Sequence, residues 1–407
     1  MLVISDNHMK KKRNVLFVTN IPSPYMVAYL NELGKYCTLK AVFEKNCDSS
    51  RPDSWKNVLD GKLTFDAVIL KGLAVSSFFY GDRQGIAPDD KSISLSVIKY
   101  LSADYDLVII GNPCTPTGII AILYLQYKKI SYAIQSEGGF PGTGTGFKEK
   151  LKYRLMSKAE IFFSTCELDD RYFLKYGASV DRIRRYNFTS MYKKQIPNVM
   201  PSCEEKRRLK TSLGIGDKLL VLTVGRAAPI KGFDVLINAF KGVVDEIKSA
   251  VGEECCLYLV GTSETPEYQN IISQNKITGI HFVDNVPFEK LKEYYIAADI
   301  FVLPTRCDTW GLVVNEAMAY GLPIVCTDRC VAADALIDHG EGGLIVHVDD
   351  VKALREAMIR LLSDGDLRAD MGTLNHSRIQ DNTLEQMGLV VSKHIEEYII
   401  GTEKSLR

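Results

Sequence analysis

The stretch Asp308-Thr-Trp-Gly-Leu-Val-Val-Asn-Glu316-Ala-Met-Ala-Tyr-Gly-Leu-Pro-Ile-Val325 follows an apolar run, Ile300-Phe-Val-Leu-Pro304, that reads as a buried strand. Within it, Val313, Val314, Ala317 and Met318 read as a short helix, stopped by Gly321 and Pro323. One carboxylate, Asp308, thus sits in a loop, and a second, Glu316, sits in the helix that follows. The helix N-terminus lies between them, and its amides at Gly311, Leu312 and Val313 have no intrahelical acceptor, so they face any anion that enters. Glu316 is a charge in an otherwise apolar helix, where an unpaired carboxylate is costly. The arrangement suits a ligand that carries both phosphates and hydroxyls. The plainer alternative is that Asp308 or Thr309 caps the helix while Glu316 meets a structural Arg.

Outward from this stretch, strand and helix patterns alternate almost throughout. Val15–Thr19, Leu39–Glu44, Phe65–Leu70, Leu107–Gly111, Ser131–Gln135 and Ile161–Thr165 read as strands, with a helix at Tyr25–Lys35 after the first. The rhythm breaks near Tyr186–Ser202 and restarts with strands at Leu219–Val224, Cys256–Gly261, Ile280–Val283, Asp299–Leu303, Pro323–Thr327 and Leu344–Val348. Helices are expected at Phe233–Ala250, Phe288–Ala297 and Val351–Leu362, and a terminal one over Leu384–Ile400. Such alternation predicts an α/β protein with two doubly wound, Rossmann-like domains whose strand ends face a cleft. The expected layout is a disordered tail at 1–13, a first domain at 14–190, a second at 191–380 and a terminal helix at 381–407.

A second anchor stands one strand–helix block earlier: Val221-Leu-Thr-Val-Gly-Arg226-Ala-Ala-Pro-Ile-Lys231-Gly-Phe-Asp-Val-Leu. A strand delivers Gly225 and Arg226 to the cleft edge, and Lys231 precedes an amphipathic helix. Arg offers a fork for phosphate oxygens and Lys a compact positive charge. Cations placed in advance stabilise the negative charge that builds on a departing diphosphate. Two ordinary surface cations beside a turn are the bland reading.

Acidic-x7-Glu followed by Ala-Met-Ala-x-Gly-x-Pro-Ile-Val resembles the signature of the family-4 (group 1) retaining glycosyltransferases, nucleotide-sugar enzymes of the GT-B fold. Gly-Arg-x4-Lys-Gly resembles the same family's diphosphate motif. The resemblance is strong over residues 205–363 and rests on fold pattern in the N-terminal half. It implies that Arg226 and Lys231 hold the diphosphate, Glu316 the ribose and Asp308 the sugar hydroxyls. Gly225, Thr309, Trp310 and the amides of Gly311, Leu312 and Val313 complete that side. The family usually has Glu where this chain has Asp308, one methylene shorter. Ile280-His-Phe-Val-Asp284-Asn285 falls where relatives hold the base, often with Gly at the position of Asp284. The resemblance also implies a last helix that crosses back onto the first domain, and a front-face substitution in which the departing phosphate takes the acceptor proton.

On the first domain, Asn20-Ile-Pro-Ser-Pro24-Tyr25 replaces the Gly-rich loop of many relatives. It reads either as a sugar or acceptor contact or as a rigid turn over Tyr25. Ser136-Glu137-Gly138-Gly139-Phe-Pro-Gly142-Thr-Gly144-Thr-Gly146 reads as a mobile acceptor loop or as a plain connection. Many relatives place a His there; Glu137 is the nearest polar candidate here.

The bulk properties agree with an enzyme of this kind. The 407 residues suffice for two domains, with 46% hydrophobic residues and 25% charged. Ten Cys and six His form no ligand-like spacing, and no Asp-x-Asp motif ends a strand of the second domain, so neither a metal nor a cofactor is expected. Cys255, Cys256, Cys326 and Cys330, in or beside expected strands, read as reduced core residues of a cytoplasmic protein. Residues 1–190 hold 26 Lys+Arg against 19 Asp+Glu, whereas 191–407 hold 24 against 31. A basic N-terminal half suits peripheral contact with the cytoplasmic membrane face or a phosphate-bearing acceptor, and nothing points to nucleic acid. The expected partners are a nucleotide-diphosphate sugar and a lipid-linked or glycan acceptor, as in capsule or exopolysaccharide synthesis. A cytosolic transferase with a soluble acceptor and a non-catalytic subunit of a partner transferase are the alternatives.

Overall fold

The structure, a computed structural model, describes residues 12–47, 53–74, 92–142 and 144–405. Continuous apolar runs rather than alternating ones mark most of its strands, as expected where helices cover both faces of a parallel sheet. The first domain holds β1 (Asn14–Thr19), β2 (Thr38–Phe43), β3 (Asp66–Ile69), β4 (Leu73–Ala74), β5 (Ser92–Ile93), β6 (Leu107–Ile110), β7 (Tyr132–Gln135), β8 (Ile161–Ser164) and β9 (Ile183–Arg185). Seven of these form one parallel sheet in the order β3-β2-β1-β6-β7-β8-β9, while β4 and β5 pair as a small antiparallel ribbon. The second domain holds β10 (Leu219–Val224), β11 (Cys255–Val260), β12 (Ile280–Val283), β13 (Ile300–Leu303), β14 (Ile324–Thr327) and β15 (Gly343–Val346). Its parallel order is β12-β11-β10-β13-β14-β15.

In both sheets the strand order reverses beside the first strand, between β1 and β6 and between β10 and β13. A crevice opens at each such switch point, beyond the carboxyl ends of the strands. Arg226 follows β10 and Asp308 follows β13, so the two cationic and acidic stretches flank one switch point. The segments after β1 and β7 carry Tyr25, in the first turn of a helix, and Glu137, in a loop, at the other sheet.

One apolar cluster joins the two domains. It runs from Val15, Phe17 and Phe163 through the connecting residues Tyr186, Phe188 and Met191 to Leu220, Phe301 and Trp310, and it takes in Met387, Val391 and Ile395 of the last helix. That helix, Leu384–Ser405, packs on Pro24–Leu33 of the first domain. Arg13 ties its far end, with 3.0 Å to Glu396 and 2.8 Å to Glu403. Of the expected tail, residues 1–11 lie outside the described residues, and this ion-paired Arg13 directly precedes β1.

The elements that differ from the sequence expectation include a broken helix and three short strands, β4, β5 and β9. Phe233–Ala250 is two helices, Phe233–Phe240 and Val243–Val251, because Gly242 turns left-handed (φ 75°) with Arg355 packed against it. The edge strand β9 was not expected, since three residues with two arginines carry no apolar pattern; Arg185 pairs with Asp170 at its end. The segment from Tyr186 to Ser202 contains only one short 3-10 turn, Lys193–Gln195.

Candidate functional site

The second-domain side of the site grows from β10 and β13. β10 is buried along its whole length, and Gly225 continues its ladder by donating to Val260 O at 2.9 Å. Arg226 is then the first charged side chain past the strand and is half-buried. The chain makes one short turn, Pro229–Lys231, which brings Lys231 back across the switch point. There its ammonium meets Asp308 Oδ2 at 2.7 Å, with both side chains about four-fifths shielded from solvent. Asp308 is itself fixed by its backbone, which donates to Arg329 O at 2.8 Å and accepts from Val331 N at 3.3 Å. Its other oxygen accepts from Trp310 N at 3.4 Å.

The helix after this loop spans Leu312–Ala319, with Gly311 at its N-cap and no side-chain cap, so neither Asp308 nor Thr309 serves that role. The first amide of this helix to find an acceptor within it is Val314, which donates to Gly311 O at 2.8 Å. The amides of Gly311, Leu312 and Val313 precede it and are the ones a helix leaves to an anion. Trp310 is buried and donates to Asn315 Oδ1 at 2.8 Å, so its indole supports the helix from below. Thr309 is exposed at the rim.

Glu316 has no Arg partner among the described residues. Tyr295 donates to one oxygen at 2.8 Å, and Ser190, from the segment linking the domains, donates to the other at 3.4 Å. Loss of hydration in this packed setting pushes the carboxyl up to about 7, and the two hydroxyl donors oppose that rise. A carboxyl poised near neutrality, with hydroxyls already on both oxygens, is suited to exchange them for the hydroxyls of a ligand. Asp284 and Asn285 lie exposed in the loop after β12. Asp284 accepts from Ser263 at 2.6 Å, and among the described residues neither bonds to another member of the set. His281 stacks on Tyr258 with 4.6 Å between ring centroids, and burial lowers its pKa, which suits a structural role.

The first domain reaches the same place through two loops. Tyr25, beside Pro24 at the start of its helix, donates from its hydroxyl to Glu137 Oε2 at 2.9 Å. Its ring stands edge-on to Phe188, which stands edge-on to Trp310. Gly138 has φ 115°, and a Cβ there would lie 1.8 Å from Thr309 O, so the backbones of the two domains touch at this point. Gly139 rests on the Tyr172 ring, and Arg329 lies 5.9 Å from the centre of the Phe140 ring across the cleft. Ser136 accepts from Gly138 N and donates to the buried Asp169, which anchors the loop from beneath. Thr143 of the Gly-rich run lies outside the described residues.

Lys231 and Asp308, Tyr25 and Glu137, and Gly138 and Thr309 thus come together as pairs drawn from distant sequence. Ser190 and Tyr295 were missed, and so was Arg306, which holds the turn before Lys231. A buried Tyr needs a partner for its hydroxyl, which is the signal Tyr295 carried. Arg306 stood two residues from Asp308, but its side-chain acceptors lie 43, 72 and 77 residues away. No group of three or more metal-ligating side chains forms among the described residues.

Residues 218–364, most of the second domain, match the family model described as glycosyl transferases group 1. The chain is 28% identical over 190 residues to a GDP-mannose-dependent alpha-(1-6)-phosphatidylinositol monomannoside mannosyltransferase of Mycolicibacterium smegmatis, which covers 45% of this chain and 48% of that protein. It is 29% identical over 177 residues to the capsular polysaccharide biosynthesis glycosyltransferase CapM of Staphylococcus aureus, covering 42% and 44%. These matches span under half of the length of either relative. Among solved structures, HepE of Anabaena in complex with UDP superposes with a TM-score of 0.71 at 14% identity, over 95% of this chain and 100% of that one. The fold is GT-B, and the second domain is a group 1 glycosyltransferase domain.

Proposed function

We propose that the protein is a retaining glycosyltransferase that moves a sugar from a nucleotide-diphosphate donor to a lipid-linked or polysaccharide acceptor in cell-surface glycan synthesis. The observation that carries the reading is the Lys231–Asp308 pair at the switch point, between Arg226 and an uncapped helix N-terminus. In the ligand-free protein, Asp308 occupies the ammonium. A diphosphate entering beside Arg226 takes Lys231 for itself and releases Asp308 toward the sugar hydroxyls. Ribose hydroxyls then displace Tyr295 or Ser190 from Glu316, with Asn285 and Asp284 near the base. As the bond from the anomeric carbon to the diphosphate breaks, its electron pair passes to the phosphate oxygen. Arg226, Lys231 and the amides of Gly311, Leu312 and Val313 stabilise that charge. The acceptor oxygen bonds the same face of the carbon and its proton passes to the departing phosphate, so Glu137 with Tyr25 needs only to orient the acceptor. No metal is required in this scheme, because the two cations do the neutralising.

Contact with the cytoplasmic membrane face would bring a lipid-linked acceptor to the first domain. The helix Phe147–Met156 supports this, with Phe147 79% and Tyr153 53% exposed beside exposed Lys148, Lys150 and Arg154. No helix among the described residues is long and apolar enough to cross a membrane.

Thermal unfolding with UDP-, GDP-, ADP- and dTDP-sugars tests the donor half. One donor should stabilise the wild type selectively, and Arg226→Ala and Glu316→Ala should each lose that shift. Stabilisation by none of them would overturn the reading in favour of a subunit without its own donor site. Sedimentation with anionic vesicles tests the membrane contact, which fails if wild type and a Lys148/Lys150/Arg154→Glu variant stay equally in the supernatant.

A further inference from the structure

The turn that carries the two cations borders an open pocket on its outer side. Ala227, Ala228 and Pro229 line this pocket of about 290 Å³ with Thr265, Pro266, Glu267 and Tyr268. One side chain spans the edge of that pocket. Arg306 donates from Nη1 to Pro229 O at 2.6 Å and to Asp234 Oδ1 at 3.0 Å, and from Nη2 to Asp234 Oδ2 at 2.6 Å. Its Nε donates to Asp349 Oδ1 at 2.6 Å. Its backbone amide donates to Ile230 O at 2.8 Å, and the neighbouring Thr305 hydroxyl donates to the same oxygen at 3.0 Å. Two consecutive carbonyls of the turn, at 229 and 230, are therefore held by residues 305 and 306. Those residues belong to the loop that ends at Asp308.

We propose that Arg306 is a positioning residue for the diphosphate end of the donor site: it locks the Arg226–Lys231 turn to the Asp308 loop, so that both cations stand ready before the ligand arrives. The proposal rests on the diphosphate reading of Arg226 and Lys231. A guanidinium is suited to this because its planar fork meets both oxygens of Asp234 while Nε reaches a third acceptor. An ammonium has no such fork. Without the lock, ordering the turn must accompany binding, and the cost falls on the phosphate farthest from the nucleoside.

Calorimetric titration with a nucleoside diphosphate and the matching monophosphate reads this directly. Arg306→Gln should lower the preference for diphosphate over monophosphate by about tenfold, and Arg306→Lys should restore little of it. Equal weakening of both ligands would mark a general structural role and overturn the proposal, as would unchanged affinities. Should Arg306→Gln fail to fold, Asp349→Asn relaxes the clamp from outside the turn while tolerating the left-handed backbone at that position (φ 61°), and should show a smaller loss of the same preference. A wild type that binds no nucleoside diphosphate would sink the diphosphate reading and this inference together. Loss of binding in Arg226→Ala with Arg306→Gln unchanged would remove this inference alone.

Discussion

The two rims of the cleft are built on different principles. On the second domain, charges do the work and are paired before any ligand comes: Lys231 with Asp308, and Arg306 with Asp234 and Asp349. On the first domain, the contact nearest that frame is backbone against backbone, Gly138 on Thr309, with one hydroxyl–carboxylate pair, Tyr25 and Glu137, beside it. A frame of charges recognises a ligand of fixed chemistry, such as a diphosphate. A glycine loop supported from beneath by Ser136 and Asp169 sets distance and shape, which suits a partner that differs from one enzyme to the next. The comparison therefore separates donor chemistry from acceptor geometry, and substitutions on each rim should affect different kinetic constants.

The largest separation should come from Gly138→Ala. The added methyl would sit 1.8 Å from Thr309 O, and backbone cannot give way as a flexible side chain does. The rims must part, so turnover should fall about 100-fold, as ångström-scale misplacement does elsewhere. Donor affinity should fall less than turnover, because the clash falls on Thr309 at the border of the donor frame while Arg226 and Lys231 stand on a separate turn. Gly139→Ala, whose methyl would meet side chains alone, the Tyr172 ring at 3.2 Å and Asp169 Oδ1 at 3.5 Å, is the paired control and should cost far less. Equal losses of donor affinity and turnover in Gly138→Ala would show that the rims act as one unit.

The contrast also explains what the sequence could show. The donor frame is local: its parts fall in the two stretches that follow β10 and β13, so Arg226, Lys231, Asp308 and Glu316 could be singled out and the doubly wound order anticipated from alternation. What joins the parts is not local. Ser190 reaches Glu316 across 126 positions, and Gly138 meets a carbonyl 171 residues later, contacts that no periodicity records. The broken helix at Gly242 and the short strand β9 were hidden for the opposite reason: each depends on a single turn or edge whose pattern is too brief to register. Even the Asp308 departure reads differently in the fold, since a shorter carboxylate still pairs with Lys231.

A smaller effect, on the donor rim alone, should follow pH. Glu316 is held up to about 7 from an ordinary 4.5, chiefly by lost hydration. Ribose hydroxyls bond best to the ionised form, so donor affinity should rise toward pH 7 and above and fall by up to about tenfold for each unit below it. The ligand-free fold should show the reverse trend. Its native state holds this proton more tightly than the unfolded chain, so the contribution is full below about pH 4.5 and is lost as the pH rises through 7. That contribution is at most about 3 kcal/mol. Glu316→Gln should flatten both profiles and weaken donor binding about tenfold. Denaturant titration and donor calorimetry from pH 5 to 8 check the two slopes, and slopes that persist in the variant would assign them to another group.

The smallest effect should belong to Tyr25→Phe. It removes one hydroxyl that donates to Glu137 at 2.9 Å and leaves the ring free to keep its edge-on contact with Phe188. A single hydrogen bond to a partly exposed carboxylate contributes about 1 kcal/mol, so acceptor KM should rise about fivefold. Donor affinity should not move, since neither group belongs to the charged frame. That asymmetry is the sharpest form of the comparison: the same hydroxyl lost from Tyr295, which donates to Glu316 at 2.8 Å, should change donor affinity and spare acceptor KM. If both Tyr→Phe variants altered the same constant, the division between the rims would be wrong, because their hydroxyls differ chiefly in which side of the cleft their carboxylate serves.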